Sequence, residues 1–340
     1  MIRAAIIGLG PHGMRMLQSA SQIDSIKLVA VVDRDEAKLN QEMVLKTGAI
    51  PLKDLAELWK HQIDLLMIAT NGPSHFALSM EGISKGITHL LISKPMTTSV
   101  SDAIAINKAA TERNVRVCVD HILRYDETYQ WIKMQISSNR WGKLRRMYLQ
   151  RPGIGMGCLG VHSFDMANYL IGKQPLKVTG WLDEPIGKNP RGEQFVDPGG
   201  LVVIDYGEGT RATVDQIEDG SGPAVTEIVF NHARVRVDEK NNILEVIEKD
   251  PAFVPGPNKK APLTRFVNPH LKEVIHDMVS LLKAITLELI SEKPLLSDGI
   301  TGQNTIEILV AAYISNNNGN KPIELPLTEP DYLTLNLNIT

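Results

Sequence analysis

The chain has 340 residues, 43% hydrophobic and 22% charged, with a formal net charge of −3. Those figures describe an ordinary globular protein long enough for two domains, and they exclude a strongly basic nucleic-acid binder and an acidic tail. Cys118 and Cys158, the two cysteines, are too few and too far apart for a disulfide framework or a cysteine-based zinc site.

From the N-terminus, "AAIIGLG", "KLVAVVD", "DLLMIAT", "THLLIS" and "VRVCVD" read as strands apolar on both faces, with helical segments between them. Such strands belong in a parallel sheet covered by helices, so residues 1–124 are predicted to form a doubly wound Rossmann domain. The turn Gly8-Leu9-Gly10-Pro11-His12-Gly13 lies between a strand and a helix N-terminus, whose free N–H groups can hold a pyrophosphate. Asp33 ends the second strand about twenty residues further on, where a carboxylate accepts ribose hydroxyls. It would repel a 2′-phosphate, which favours NAD; Arg34 beside it keeps NADP as the alternative. Thr70, Asn71 and His75 of "ATNGPSH" join these as candidate cofactor residues, His75 having a structural cap as its other reading. Lys94 follows the strand "THLLIS" at the sheet edge where open α/β sheets bind ligands. Ser99 and Asp102 have the spacing of a helix start.

After residue 124 the texture changes. "ETYQWIKMQISS" reads as helix, "GKLRRMYLQR" follows, and "GMGCLGVHSFDMANYL" places His162 and Asp165 on one helical side. Arg140, Lys143, Arg145, Arg146 and Arg151 read as an exposed strand face, with a phosphate site as the alternative. From Lys177 to about Glu248, six β-like runs separated by turn signals predict an antiparallel sheet. Residues 251–269 read as a loop. Leu271, Val274, Ile275, Met278, Leu281, Leu282, Ile285 and Leu289 mark one face of an amphipathic helix, and a second helix is expected over roughly 302–315.

The glycine turn, "ATNGPSH", "SKP", "VDHILRY" and "GVHSFD" together resemble the Gfo/Idh/MocA family of oxidoreductases, along nearly the whole chain. The resemblance implies a Rossmann domain (1–124) and a C-terminal α/β domain (125–340) with a large, open, mostly antiparallel sheet. It implies NAD or NADP as cofactor and a sugar, inositol-like polyol or nucleotide sugar as substrate. Lys94 and His162 become the catalytic positions and Asp165 a substrate neighbour. His121 and Arg124, which follow the last Rossmann strand, are further substrate-site candidates, Arg124 having a solvated surface position as its other reading. A homo-oligomer, dimer or tetramer, is expected through the sheet. The departures are Ser93 for the family's Glu in E-K-P, Asn71 and Gly72 for the Pro and Asn of T-P-N, Ile122 for the Asn of V-G-H-N-R-R-F, and Cys158 for an Asp four residues before the His.

Oxidising an alcohol needs a base near neutral pKa, which His162 supplies unaided; Lys94 fits positioning and proton traffic. A reductase of an imine or conjugated double bond and a non-catalytic dinucleotide-binding protein are the alternatives. No metal is expected, because none of the nine histidines pairs with Cys, Asp or Glu at a metal-binding spacing. No apolar run reaches the roughly 18 residues of a membrane span, and the N-terminal stretch is too short for a signal peptide. A cytoplasmic protein that binds neither nucleic acid nor membrane is expected.

Overall fold

The computed structural model describes residues 1–153, 155–185, 187, 189, 191–250, 252–254, 256, 259–267 and 277–339. The first part of the chain runs β1 (Ile2–Ile7), α1 (Pro11–Ala20), β2 (Ile26–Val32), α2 (Glu36–Leu39), α3 (Glu42–Lys46), β3 (Ile50–Leu52), α4 (Leu55–Leu58), β4 (Leu65–Ile68), α5 (Gly72–Ser84), β5 (His89–Ile92), α6 (Val100–Glu112) and β6 (Arg116–Val119). These six strands form one parallel sheet in the order β3-β2-β1-β4-β5-β6. β4 is buried along its whole length, as are Leu90, Leu91 and Ile92 of β5. Helices on both faces remove these side chains from water, each large one contributing about 1.5–3 kcal/mol. β3 lies outside the five strands expected; its short Ile-Pro-Leu run carries too little apolar signal. Ser99 caps α6 as expected, accepting the Asp102 N–H at 3.3 Å.

The second part runs α7 (Glu127–Ser137), β7 (Leu144–Pro152), α8 (Val161–Ile171), β8 (Lys177–Leu182), β9 (Gly200–Asp205), β10 (Arg211–Ile217), β11 (Val225–Phe230), β12 (Ala233–Asp238), β13 (Ile243–Lys249) and β14 (Leu263–Val267). After it come α9 (Met278–Leu289), α10 (Gly299–Asn317), β15 (Ile323–Glu324) and α11 (Pro330–Thr334). The second sheet has nine strands in the order β14-β13-β12-β11-β7-β10-β9-β8-β15. β7 and β10 pair in parallel and the other neighbours antiparallel. Along β10 and β11 every second side chain is buried, so one face of the sheet carries the core. β14 falls inside the segment expected to be a loop; it is exposed throughout and held by pairing with β13.

The chain divides into two compact units. Unit 1 is Met1–Tyr125, Asp277–Ile306 and Leu333–Thr340; unit 2 is Asp126–His276 and Glu307–Tyr332. A continuous second domain over 125–340 is therefore replaced by two returns to the first unit. The reason is burial: α9 packs on α1, Ile339 is fully buried, and the Leu337 N–H donates to the Thr98 carbonyl at 2.9 Å. Of the apolar face expected for α9, Leu271, Val274 and Ile275 lie outside the described residues. The helix begins at Met278, with Asp277 accepting the N–H groups of Val279 and Ser280, both at 3.0 Å.

The basic cluster needs a correction at Arg151. Its guanidinium is not on an exposed face but turns inward, donating to both oxygens of Glu239 at 2.9 and 2.5 Å and to Ser163 Oγ at 3.1 Å. Tyr129 donates to the same carboxylate at 2.9 Å. Arg140 and Lys143 pair instead with Glu248 and Glu208. A mostly buried ion pair is costly to break from one side, because the remaining charge loses its partner. Glu239→Ala is expected to destabilise the chain by about 3–5 kcal/mol, with Arg151→Met in the same chain recovering part of the loss. A denaturant titration that gives Glu239→Ala the wild-type midpoint refutes this.

Candidate active site

The glycine turn owes its shape to two close approaches. Gly8 has φ +92°, and a Cβ there would lie 2.7 Å from the Ala69 carbonyl oxygen. A Cβ on Gly13 would lie 1.9 Å from the Gly8 carbonyl oxygen, so only glycine lets α1 seat on the turn. Gly10 is different: a Cβ there would meet nothing within 4 Å. It caps α1 without a side-chain hydrogen bond, Pro11 opens the helix, and the first turn holds no acidic residue. The first-turn N–H groups therefore stand at an open, electropositive end.

Strand order reverses between β1 and β4, and a cavity of about 420 Å³ opens there. Gly8, Asp33, Arg34, Thr70, Asn71 and Ser74 are among its lining residues. The Asp33 carboxylate accepts the Leu9 N–H at 2.7 Å and the Asp35 N–H at 2.9 Å, so it fixes the glycine turn while facing the cavity. Lys38 Nζ stands 3.6 Å from it, and Arg34 is exposed at the rim. Ser74 Oγ donates to Asn71 Oδ1 at 2.9 Å and lies 2.7 Å from Thr70 Oγ1. An open Gly10, an uncapped helix end and a carboxylate beside a cavity fit a dinucleotide's diphosphate and adenosine ribose.

At the carboxyl end of β5, Lys94 is partly exposed and precedes a cis peptide bond to Pro95. Its backbone N–H donates to Asp120 Oδ1 at 2.7 Å. The other Asp120 oxygen contacts His12 Nε2, and the Asp120 side chain has no exposed surface. His75 is fully buried, which corrects its reading as a cofactor contact. Its Nδ1 lies 2.8 Å from the Pro95 carbonyl, and its Nε2 lies 3.2 Å from the Thr70 carbonyl and 3.3 Å from Ser93 Oγ. Burial holds its pKa below the ordinary range, so the ring is neutral and donates a single N–H, with the Pro95 and Thr70 carbonyls as the acceptors in reach. His75 thus positions the Lys94 segment. His121 is buried, and Arg124, 9% exposed, donates to the Leu296 carbonyl at 2.6 Å. That bond ties Arg124 to the segment that precedes α10.

In unit 2, a π-helical turn over Gly155–Gly160 runs into α8. His162 is partly exposed on α8, whereas Asp165 is 1% exposed. Burial and then the Asp165 charge push the Tyr206 hydroxyl above its ordinary range, so Asp165 faces the interior of its own unit. Cys158 Sγ lies 3.2 Å from Arg191 Nη1. The Cys158 and Gly157 N–H groups donate to the Asp197 carboxylate, both at 2.7 Å. Gly155, at φ +66°, leaves room for that carboxylate, since a Cβ there would lie 2.2 Å from Asp197 Cγ. Asp197 and Asp120 are the two residues that sequence reasoning passed over. Asp120 stood within "VDHILRY" beside His121, whereas Asp197 is 39 residues from Cys158 and had no spacing to betray it.

Residues 2–121 match the profile GFO_IDH_MocA, described as oxidoreductase family, NAD-binding Rossmann fold. Over that N-terminal stretch the chain is similar to the Gfo/Idh/MocA oxidoreductases. Among curated relatives, it is 25% identical to scyllo-inositol 2-dehydrogenase (NAD(+)) of Bacillus subtilis over 63% of this chain and 66% of that one. It is 26% identical to UDP-N-acetylglucosamine 3-dehydrogenase of Acidithiobacillus ferrooxidans over 52% of this chain and 56% of that one. The matches thus span less than two thirds of either relative. The WlbA dehydrogenase from Bordetella pertussis, solved in complex with NADH and UDP-GlcNAcA, shares the fold with a TM-score of 0.76, covering 96% of this chain and 99% of that one at 20% identity. Among the described residues, no helix is long and apolar enough to cross a membrane.

Ser93, in place of the expected Glu, puts a hydroxyl 3.3 Å from His75 Nε2. The depressed His75 pKa has a measurable consequence. As pH falls, the unfolded chain takes the proton first, so the stability from His75 is whole above about pH 6.5 and declines below it. His89, also lowered by burial, adds with the same sign. The thermal midpoint is expected to drop from pH 7 to pH 5, and His75→Asn, which keeps a donor toward Pro95, to drop less steeply. Equal slopes for the two chains refute the assignment.

Proposed function

We propose that the protein is an NAD-dependent dehydrogenase acting on a CH–OH group of a sugar, an inositol-like polyol or a nucleotide sugar. The observation that carries this reading is Lys94: a partly exposed lysine ending an apolar strand, its backbone fixed by Asp120 in the same unit as the glycine turn. The names of the inositol and nucleotide-sugar dehydrogenases among its relatives support the substrate class. Asp33 supports NAD over NADP, because its carboxylate would meet a 2′-phosphate with like charge.

Bound nicotinamide supplies the two-electron acceptor. His162 takes the hydroxyl proton in the oxidative direction and returns it in the reductive one. Lys94, as an ammonium, donates a hydrogen bond to the substrate oxygen and steadies the charge that develops on it. Asp165, buried in its own unit, supports α8 and leaves proton transfer to His162. Cys158 favours a second reading, reduction of an imine or conjugated double bond, because a thiol paired with Arg191 replaces the carboxylate that would orient the base.

In a screen of sugars, inositols and nucleotide sugars with both cofactors, turnover with NAD is expected to exceed that with NADP. His162→Ala is expected to lower kcat by about 10²–10⁴ while leaving the NADH dissociation constant unchanged. Double-bond reduction that survives His162→Ala would move the assignment to the second reading.

A second copy of the chain is the proposed cover for the outer face of the unit 2 sheet. Tyr148, Trp181 and Leu201 project there, 45%, 43% and 36% exposed, and Trp181 and Leu201 are cross-strand partners. Sedimentation is expected to give a dimer or tetramer that Trp181→Asp with Leu201→Asp dissociates; a monomeric wild type excludes it.

A further inference from the structure

We propose that His12 and Asp120 form an imidazole–carboxylate pair that makes the glycine turn able to accept a diphosphate while Asp120 holds Lys94. The proposal rests on the reading of that turn as the cofactor site. An ionised carboxylate only accepts hydrogen bonds, and Asp120 uses both oxygens: one for the Lys94 N–H at 2.7 Å, the other for His12 Nε2. Nε2 therefore carries the proton, which fixes the tautomer and the plane of the ring.

Where the two residues sit gives the pair its purpose. His12 is in the first turn of α1, between Gly10 and Gly13, on the segment whose N–H groups face the open end described above. Asp120 follows β6 and has no exposed side-chain surface, so water does not screen its charge. A buried carboxylate within hydrogen-bond reach of that turn would repel an incoming diphosphate unless a donor faces it. His12 is that donor. The sequence departs here from the pattern it resembles, where a glycine often stands at the position of Asp120. A glycine brings no charge and leaves the Lys94 N–H to other acceptors. In this chain the added carboxylate anchors Lys94, and His12 offsets its charge on the side toward the turn. His12 is accordingly a positioning residue, acting on the cofactor through Asp120.

The test is a double-mutant cycle on the full chain, with NADH affinity read by fluorescence and the thermal midpoint read without cofactor. His12→Ala is expected to weaken NADH binding about tenfold or more, because it leaves the oxygen of the buried carboxylate that faces the turn without its donor. In the Asp120→Asn background the same substitution is expected to cost less than about threefold, and the fall in midpoint that it causes should shrink in parallel. If His12→Ala does not fold, His12→Gln, which keeps an N–H donor, is expected to fold and to bind NADH better than any folded His12→Leu chain. Equal loss in both backgrounds overturns the proposal, since His12 would then act without Asp120. So does wild-type affinity in His12→Ala. A folded wild type that binds neither NADH nor NADPH instead overturns the reading of the cofactor site, and this inference with it.

Discussion

The reversal of strand order between β1 and β4 is the constraint on which unit 1 depends. Chains leaving the two strands diverge, and the crevice between them is kept open by contacts too close for any side chain but hydrogen. Gly8 against Ala69 and Gly13 against Gly8 bring β4, β1 and α1 together at backbone distance. Asp33 then ties the turn to the end of β2 through the Leu9 N–H, so one carboxylate both shapes the turn and faces the cavity. Asp120 does the same further along the sheet, joining the ends of β5 and β6 to α1. A polar group at the carboxyl edge of this sheet thus serves the fold and the site at once.

Unit 2 solves a comparable problem with buried charge. The helix carrying His162 is entered through a π-helical turn whose N–H groups end on Asp197, and Ser163 is held by the Arg151 side chain. Arg151 in turn is satisfied by Glu239, which also accepts from Tyr129. Desolvating such groups costs several kcal/mol each, and each is offset only in one geometry, which makes them effective at fixing a helix in place. Cys158 lies inside this arrangement, its backbone on Asp197 and its sulfur beside Arg191. The local charge at the base of α8 is therefore set by residues from a distant loop, with no carboxylate one turn before His162.

Much of this was legible in the order of residues. The parallel sheet followed from strands apolar on both faces, the cofactor turn from glycine spacing after the first of them, and the second sheet from alternating runs with short turns. Those are local signals, fixed by side-chain periodicity and by which backbone angles glycine permits. The features that escaped were of another kind. β3 and β14 are held as much by their neighbours as by their own composition. The returns of Asp277–Ile306 and Leu333–Thr340 to unit 1 depend on which apolar surface is left to cover.

The sequence by itself determined the two sheet types, the dinucleotide turn, the family resemblance and the candidate roles of Lys94 and His162, because each is written within a few consecutive residues. Only the tertiary structure decided what the polar residues around them do. His75, Arg124 and Arg151 each read as a site candidate with a structural or surface role as the alternative, and the fold takes most of each side chain out of water and gives it a carbonyl or carboxylate partner. Asp120 and Asp197 gain their meaning from partners distant in the chain, His12 and Cys158. A hydrogen bond depends on distance in space, and sequence spacing does not report it.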